Sequence, residues 1–297
     1  MSQIFEAVRK HSVIDFSDIC QAQEENPKAF VDMNAIRVPS VEEEGPEASV
    51  DAAEEPIHVA PPLSLAPESY RVLRLRASAL SPVFPFDKAR HPAAEQYRII
   101  RTKLLHHPSK PQLVVVSSAW SGDGKTITSI NIAGSLALKS DSRILLIDGD
   151  LRYSRVSHEL NIPVGPGLTD VLSGAVEFEK AAIRAEQFPN LFILSAGTPA
   201  VHAAELLDSQ NWRDLLTKVR SLFGNVILDA PPVAAVADYE VLQLASDAVV
   251  LIARPDHSDR TAFLRALQTV PERKLLGIVL NCVEDWWLWK TPTYGSY

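Results

Sequence analysis

Between His91 and Val283 the sequence carries six short runs rich in Val, Ile and Leu: QLVVVSS, RILLIDGD, LFILSAG, NVILDAPP, DAVVLIA and LLGIVLN. Each is nearly continuous rather than alternating, the pattern of strands buried on both faces of a parallel sheet. Helix-like stretches lie between most of them, such as AAELLDSQNWRDLLTKVRSLF and DRTAFLRALQ. This alternation predicts an α/β fold built on a doubly wound, mostly parallel sheet. Such sheets bind ligands beyond the carboxyl ends of their strands, so functional residues are expected at the strand exits.

The first of those exits reads Ala119-x-x-x-x-Gly124-Lys125-Thr126, the spacing of a phosphate loop with Ala in place of the first Gly. Gly122 and Gly124 allow a tight turn whose N–H groups point at phosphate oxygens. The helix that follows adds its positive end. Residues Ser121, Gly122, Asp123, Gly124, Lys125, Thr126 and Ile127 are thus the expected cradle for ATP. Lys125 is expected to reach the β- and γ-phosphates, and the Thr126 hydroxyl to ligate Mg²⁺. Two further exits end in aspartates, Asp148 and Asp150 after RILLI and Asp229 after NVIL. Three carboxylates at the strand ends of a phosphate-loop fold read as metal-binding and proton-accepting groups. Arg152 is a candidate to neutralise phosphate charge, and Arg254, at the exit of DAVVLIA, a candidate to line the nucleotide site. Ser118, His158 and Asp170 make no credible triad, and His106 and His107 lack further metal-ligand spacing.

Composition narrows the class. Of 297 residues, 46% are apolar, enough for a sizeable core, and the formal charge of −8 provides no basic footprint for nucleic acid. Two distant cysteines, Cys20 and Cys282, fit a reducing cytoplasm and no disulfide framework. No stretch approaches the roughly 18 apolar residues a membrane span needs, so a membrane connection is expected to come through a partner. Residues 1–37 contain Ile4, Phe5 and Val8, which can share one side of a short docking helix. Residues 38–88 are rich in Glu, Pro and Ala and read as a flexible linker. Residues 89–285 form the expected catalytic domain, and residues 286–297 a tail.

The phosphate loop, LLIDGDLR and VILDAPPV together resemble the bacterial tyrosine kinases, phosphate-loop proteins related to the Min and Par partitioning ATPases. The segments GPGLTDVLSGA and LSAGTPAVHAAELLDSQNW share the resemblance, which runs from about His91 to Val283. It implies that Asp148 helps hold Mg²⁺, that Asp150 takes the tyrosine proton and that Asp229 completes the metal site. It also implies ATP-dependent autophosphorylation in an exopolysaccharide export system. The expected partners are a separate membrane adaptor of the polysaccharide co-polymerase type and a tyrosine phosphatase. The adaptor would recruit a cytoplasmic chain to the inner face of the plasma membrane.

Three features separate a kinase from a partitioning ATPase. The signature lysine of the partitioning proteins is replaced by Trp120, and nothing basic lies between Leu113 and Lys125. Upstream, Glu95-x-x-Arg98-x-x-Arg101 puts three charges along one face of a helix, where the kinases carry the same spacing at a ring-closing subunit interface. The chain ends WWLWKTPTYGSY, and Tyr294 and Tyr297 stand where the kinases bear their acceptor tyrosines. Ser121 and Asp123 stand where the family often shows Pro and Glu, and LRYSR replaces its usual basic-basic-Pro run. A dimeric partitioning ATPase and a nucleotide-binding scaffold without phosphotransfer remain the alternatives.

Overall fold

A computed structural model describes residues 70–76, 92–139, 142–200, 202–233, 237–255 and 257–283. The expected docking helix, residues 38–69 and 77–88 of the expected linker, and the tail tyrosines Tyr294 and Tyr297 lie outside the described residues.

All six apolar runs are strands: β2 (Leu113–Ser118), β3 (Ile144–Asp148), β5 (Leu191–Leu194), β6 (Asn225–Asp229), β7 (Ala248–Ala253) and β8 (Leu275–Leu280). Two shorter strands, β1 (Arg71–Leu73) and β4 (Ile183–Ala185), complete one eight-stranded sheet among the described residues, ordered β1-β4-β5-β3-β6-β2-β7-β8. Every neighbouring pair is parallel except β4 with β5. The continuous apolar runs have a direct cause. Val114 and Val116 of β2 pack into a core cluster with Ile130, Ile132 and Ala133 of α2 (Lys125–Ala137). The alternate residues Leu113 and Val115 are equally buried on the other face.

The long helical stretch expected over residues 203–223 is two helices, α6 (Ala203–Leu207) and α7 (Gln210–Leu222). Ser209 divides them, because its side chain accepts from the Trp212 N–H at 3.2 Å and starts a new helix. Helix α9 (Arg260–Thr269) begins in the same way, with the Asp259 carboxylate accepting from Ala262 N–H at 2.7 Å. Before the sheet, α1 (Pro92–Leu105) packs on α2. Short helices α3 (Val156–Glu159), α4 (Leu168–Leu172) and α5 (Phe178–Ala181) follow β3, and α8 (Ala237–Ala245) joins β6 to β7.

The linker expected over residues 38–88 needs one correction. Arg71–Leu73 belong to the sheet, registered on Ile183–Ala185. Tyr70 explains the anchoring: it is buried, with its ring edge-on to Phe192 at 5.0 Å and to Phe178 at 6.3 Å. Phe223 closes this aromatic cluster against Phe192 at 5.2 Å. Offset and edge-on ring pairs of this kind add to the gain from burial.

Candidate active site

The site is built where β2, β3 and β6 end. Register makes it: Val116 pairs with Asp229, and Asp229 pairs with Asp148, so the strand-end carboxylates of β3 and β6 sit side by side. Both are fully buried. Burial first, then the facing Asp229 charge, pushes the Asp148 carboxyl well above the usual carboxylate range. Burial also raises Asp229, against the opposing pull of Lys125, Thr126 and Ser129.

The phosphate loop wraps over this pair. Gly122 and Gly124 both have φ of 92°, left-handed conformations that a side chain resists. Gly124 caps α2 without a side-chain hydrogen bond, and the first turn of the helix holds no acidic residue. Its leading N–H groups are therefore left for an anion. The Lys125 ammonium lies 3.1 Å from Asp150 Oδ2. Burial alone would lower this lysine, but Asp229, Asp150 and Asp148 outweigh it and hold the ammonium protonated. The Thr126 hydroxyl donates to Asp229 Oδ2 at 2.7 Å, and the Ser129 hydroxyl to Asp229 Oδ1 at 3.0 Å. Asp148 accepts from Asp150 N–H at 3.3 Å and Val156 N–H at 3.1 Å, and Asp150 Oδ1 accepts from Tyr153 N–H at 3.0 Å.

An open cleft of ≈ 500 Å³ lies above the loop, lined by Ser121, Gly122, Gly124, Lys125, Thr126, Ile127 and Asp150 from the expected site. Sequence reasoning missed Tyr153, Arg155, Glu159 and Pro232, which also line it. Their signal was position alone, since all follow Asp150 or Asp229 within a dozen residues. A second cleft of similar volume, lined by Leu73–Arg76 and Asn161–Pro163, shares no lining residue with the first and holds none of the expected residues.

Three expected site residues are absent from the cleft lining. The Asp123 carboxylate is fully buried and turned away from the cleft, accepting from Ser258 Oγ at 2.7 Å and from Trp120 N–H at 3.2 Å. Arg152 is held by the buried Asp238 carboxylate, with Nε 2.8 Å from Oδ2, and is not among the residues that line the cleft. Arg254 does not line the cleft; its backbone builds a turn in which its N–H donates to Ser258 Oγ at 2.8 Å. Glu95 and Arg98 pair with each other at 2.6 Å on the exposed face of α1, while Arg101 turns inward to donate to the Ser135 carbonyl at 3.1 Å. No triad forms: Ser118 donates to the Trp120 carbonyl, His158 lies beside Glu159, and Asp170 accepts from Gly167 N–H and Thr198.

The donor set fits Mg²⁺. Among the described residues no cluster of three His, Cys, Asp or Glu side chains forms a metal cage. Mg²⁺ ordinarily needs none, being held by one or two carboxylates, a hydroxyl and phosphate oxygens. Thr126, Asp148 and Asp229 supply hard oxygens of that kind.

The chain is similar to several known proteins. A family model described as an AAA domain matches residues 112–273. Tyrosine-protein kinase CpsD of Streptococcus pneumoniae serotype 4 is 32% identical over 192 residues, covering 64% of this chain and 84% of that protein. Tyrosine-protein kinase ptk of Acinetobacter johnsonii is 32% identical over 233 residues, covering 77% of this chain; the match spans 31% of that longer protein. Among solved structures, the VpsO kinase domain superposes with a TM-score of 0.59 at 30% identity, covering 64% of this chain and 96% of that one. No helix among the described residues is long and apolar enough to cross a membrane.

Proposed function

The chain belongs to the bacterial tyrosine-protein kinase family, and we propose that it is an ATP- and Mg²⁺-dependent protein-tyrosine autokinase. One observation carries the reading. Of the three strand-end aspartates, only Asp150 lines the cleft, and it does so 3.1 Å from the phosphate-loop lysine. A carboxylate in that place can take a proton from an incoming hydroxyl while Lys125 meets the phosphates.

The phenolic oxygen of a tyrosine from a neighbouring subunit attacks the γ-phosphorus. The bond from that phosphorus to the β–γ bridging oxygen breaks, ADP leaves, and the phenolic proton passes to Asp150. Mg²⁺ held by Thr126, Asp148 and Asp229 would neutralise charge on the phosphates. Lys125 and the N–H groups of the Ser121–Thr126 loop orient the nucleotide and offset the developing negative charge. Tyr294 and Tyr297 are the proposed acceptors, and Glu95 and Arg98 the exposed part of a ring-closing interface. Each tail phosphate adds roughly −1.5 to −2 charges, which loosens such a ring by repulsion. The proposed setting is exopolysaccharide synthesis and export, with the chain recruited from the cytoplasm to the membrane by a separate co-polymerase adaptor.

The test is peptide mass spectrometry of the protein purified from its host, before and after phosphatase treatment and again after Mg-ATP. Phosphate on Tyr294 or Tyr297 that is removed and then restored is the expected result. ATP consumption with no phosphotyrosine at any stage would move the reading to a partitioning-type ATPase. Tight ATP binding with neither hydrolysis nor transfer would leave a nucleotide-binding scaffold.

A further inference from the structure

We propose that Asp123 is a positioning residue that latches the phosphate loop to the exits of β7 and β8 and so preforms it for nucleotide. This rests on the phosphate-loop part of the function proposed above and on no step of tyrosine transfer.

The geometry is specific. Asp123 is fully buried inside the loop it belongs to. Its Oδ2 accepts from Trp120 N–H at 3.2 Å, closing the loop on itself. Its Oδ1 reaches outward, accepting from Ser258 Oγ at 2.7 Å with His257 Nδ1 at 3.0 Å, both from the turn after β7. Its backbone carbonyl accepts from Asn281 Nδ2 at 2.9 Å, at the exit of β8. The partners are themselves held. Ser258 Oγ accepts from Arg254 N–H at 2.8 Å, and Asn281 Oδ1 accepts from Cys282 N–H at 3.0 Å.

The loop glycines bear the same mark. A Cβ on Gly122 would lie 3.0 Å from His257 Cε1, and one on Gly124 would lie 2.0 Å from Asn281 Nδ2. The two residues that must turn left-handed to expose their N–H groups are those pressed against the latch. A loop with two left-handed glycines has many other conformations when free, and ordering it on nucleotide arrival costs binding free energy. Holding it from behind removes part of that cost. A latch acting this way strengthens nucleotide binding more than it speeds transfer at saturation.

The experiment uses the full chain, Mg²⁺ and a fluorescent ADP analogue. Asp123→Ala is expected to weaken binding about tenfold or more, since it leaves the part-buried Trp120 N–H and Ser258 hydroxyl without this acceptor and frees the loop. Ser258→Ala should weaken it by a smaller factor, and the double variant should bind no worse than Asp123→Ala alone, because both act through one contact. Asp123→Asn, which retains an acceptor toward Ser258, should recover part of the loss. In Ser258→Ala the rate at saturating ATP should change about twofold at most while KM rises. If Asp123→Ala does not fold, Ser258→Ala decides alone: unchanged affinity overturns the proposal. Losses that simply add in the double variant, or a fall in rate with KM unchanged, overturn it as well. A wild-type chain that binds no nucleotide would instead refute the phosphate-loop reading itself.

Discussion

Single side chains at the strand exits make up the candidate site, and they differ in what the chain could reveal of them. Lys125, Thr126, Asp148, Asp150 and Asp229 were legible because their spacing from apolar runs is fixed by how a strand ends. Lys125→Met is expected to abolish phosphotransfer, read by phosphotyrosine mass spectrometry, while circular dichroism stays unchanged; persisting phosphotyrosine would sink the loop assignment. The side chains of Asp123, Arg152 and Arg254 lie off the cleft lining, which the sequence could not show, since a charge near a phosphate loop reads as a ligand until its partner is known. Ser258 lies 135 positions from Asp123 and Asp238 lies 86 from Arg152, distances over which no local pattern speaks. Gly149 is a further case. A Cβ there would stand 3.0 Å from both the Asp229 carbonyl and Leu228 Cδ1. Gly149→Ala is expected to cost about 1–3 kcal/mol by overpacking, measured by thermal melting, with a loss of activity from the displaced Asp229. The buried Tyr70, Tyr97 and Tyr239 are expected to carry no phosphate in the native protein; burial also pushes the first two up to about 12.

Strands and helices were the most legible part of the chain. Strands buried on both faces need no polar alternation, so six of them announce themselves as unbroken apolar runs. β1 and β4, of three residues each, carry too little pattern, and what holds β1 is the Tyr70–Phe192–Phe223 ring cluster drawn from three distant segments. Phe192→Ala is expected to cost about 3–5 kcal/mol, seen as a lower Tm. At the opposite end of the sheet, Asp247 ties β7 to β2 and α7. It accepts from Leu113 N–H at 2.7 Å, Gln112 N–H at 3.0 Å and Arg220 at 2.8 Å. Burial alone would raise this carboxyl, but Arg220 and the two N–H groups outweigh it and hold it below its ordinary value. Its contribution is thus complete above the unfolded-state value of about 3.9 and is lost as pH falls through the folded one. Asp247→Asn should therefore cost about 1 kcal/mol near neutral pH, with the gap from wild type shrinking in acid, as melts across a pH series would report.

For the protein as a whole, assembly is the property that most needs testing. Replacing Glu95, Arg98 and Arg101 together with Ala is expected to give monomers by light scattering. The exposed Glu95–Arg98 pair itself is worth no more than about 1 kcal/mol to the fold, so a large fall in Tm would point instead to the Arg101–Ser135 contact. Unchanged assembly in a folded variant would defeat the interface. The order of residues along the chain was enough to determine the α/β class, the phosphate loop and the three aspartates, because burial on both faces and tight turning leave local marks in composition and spacing. Only the folded sheet decided that Asp148 and Asp229 face each other, that Asp150 alone meets the cleft and that Asp123 turns its back on it. Those outcomes depend on strand order, register and the partners that reach each buried charge, and these are set by contacts between residues far apart in the chain.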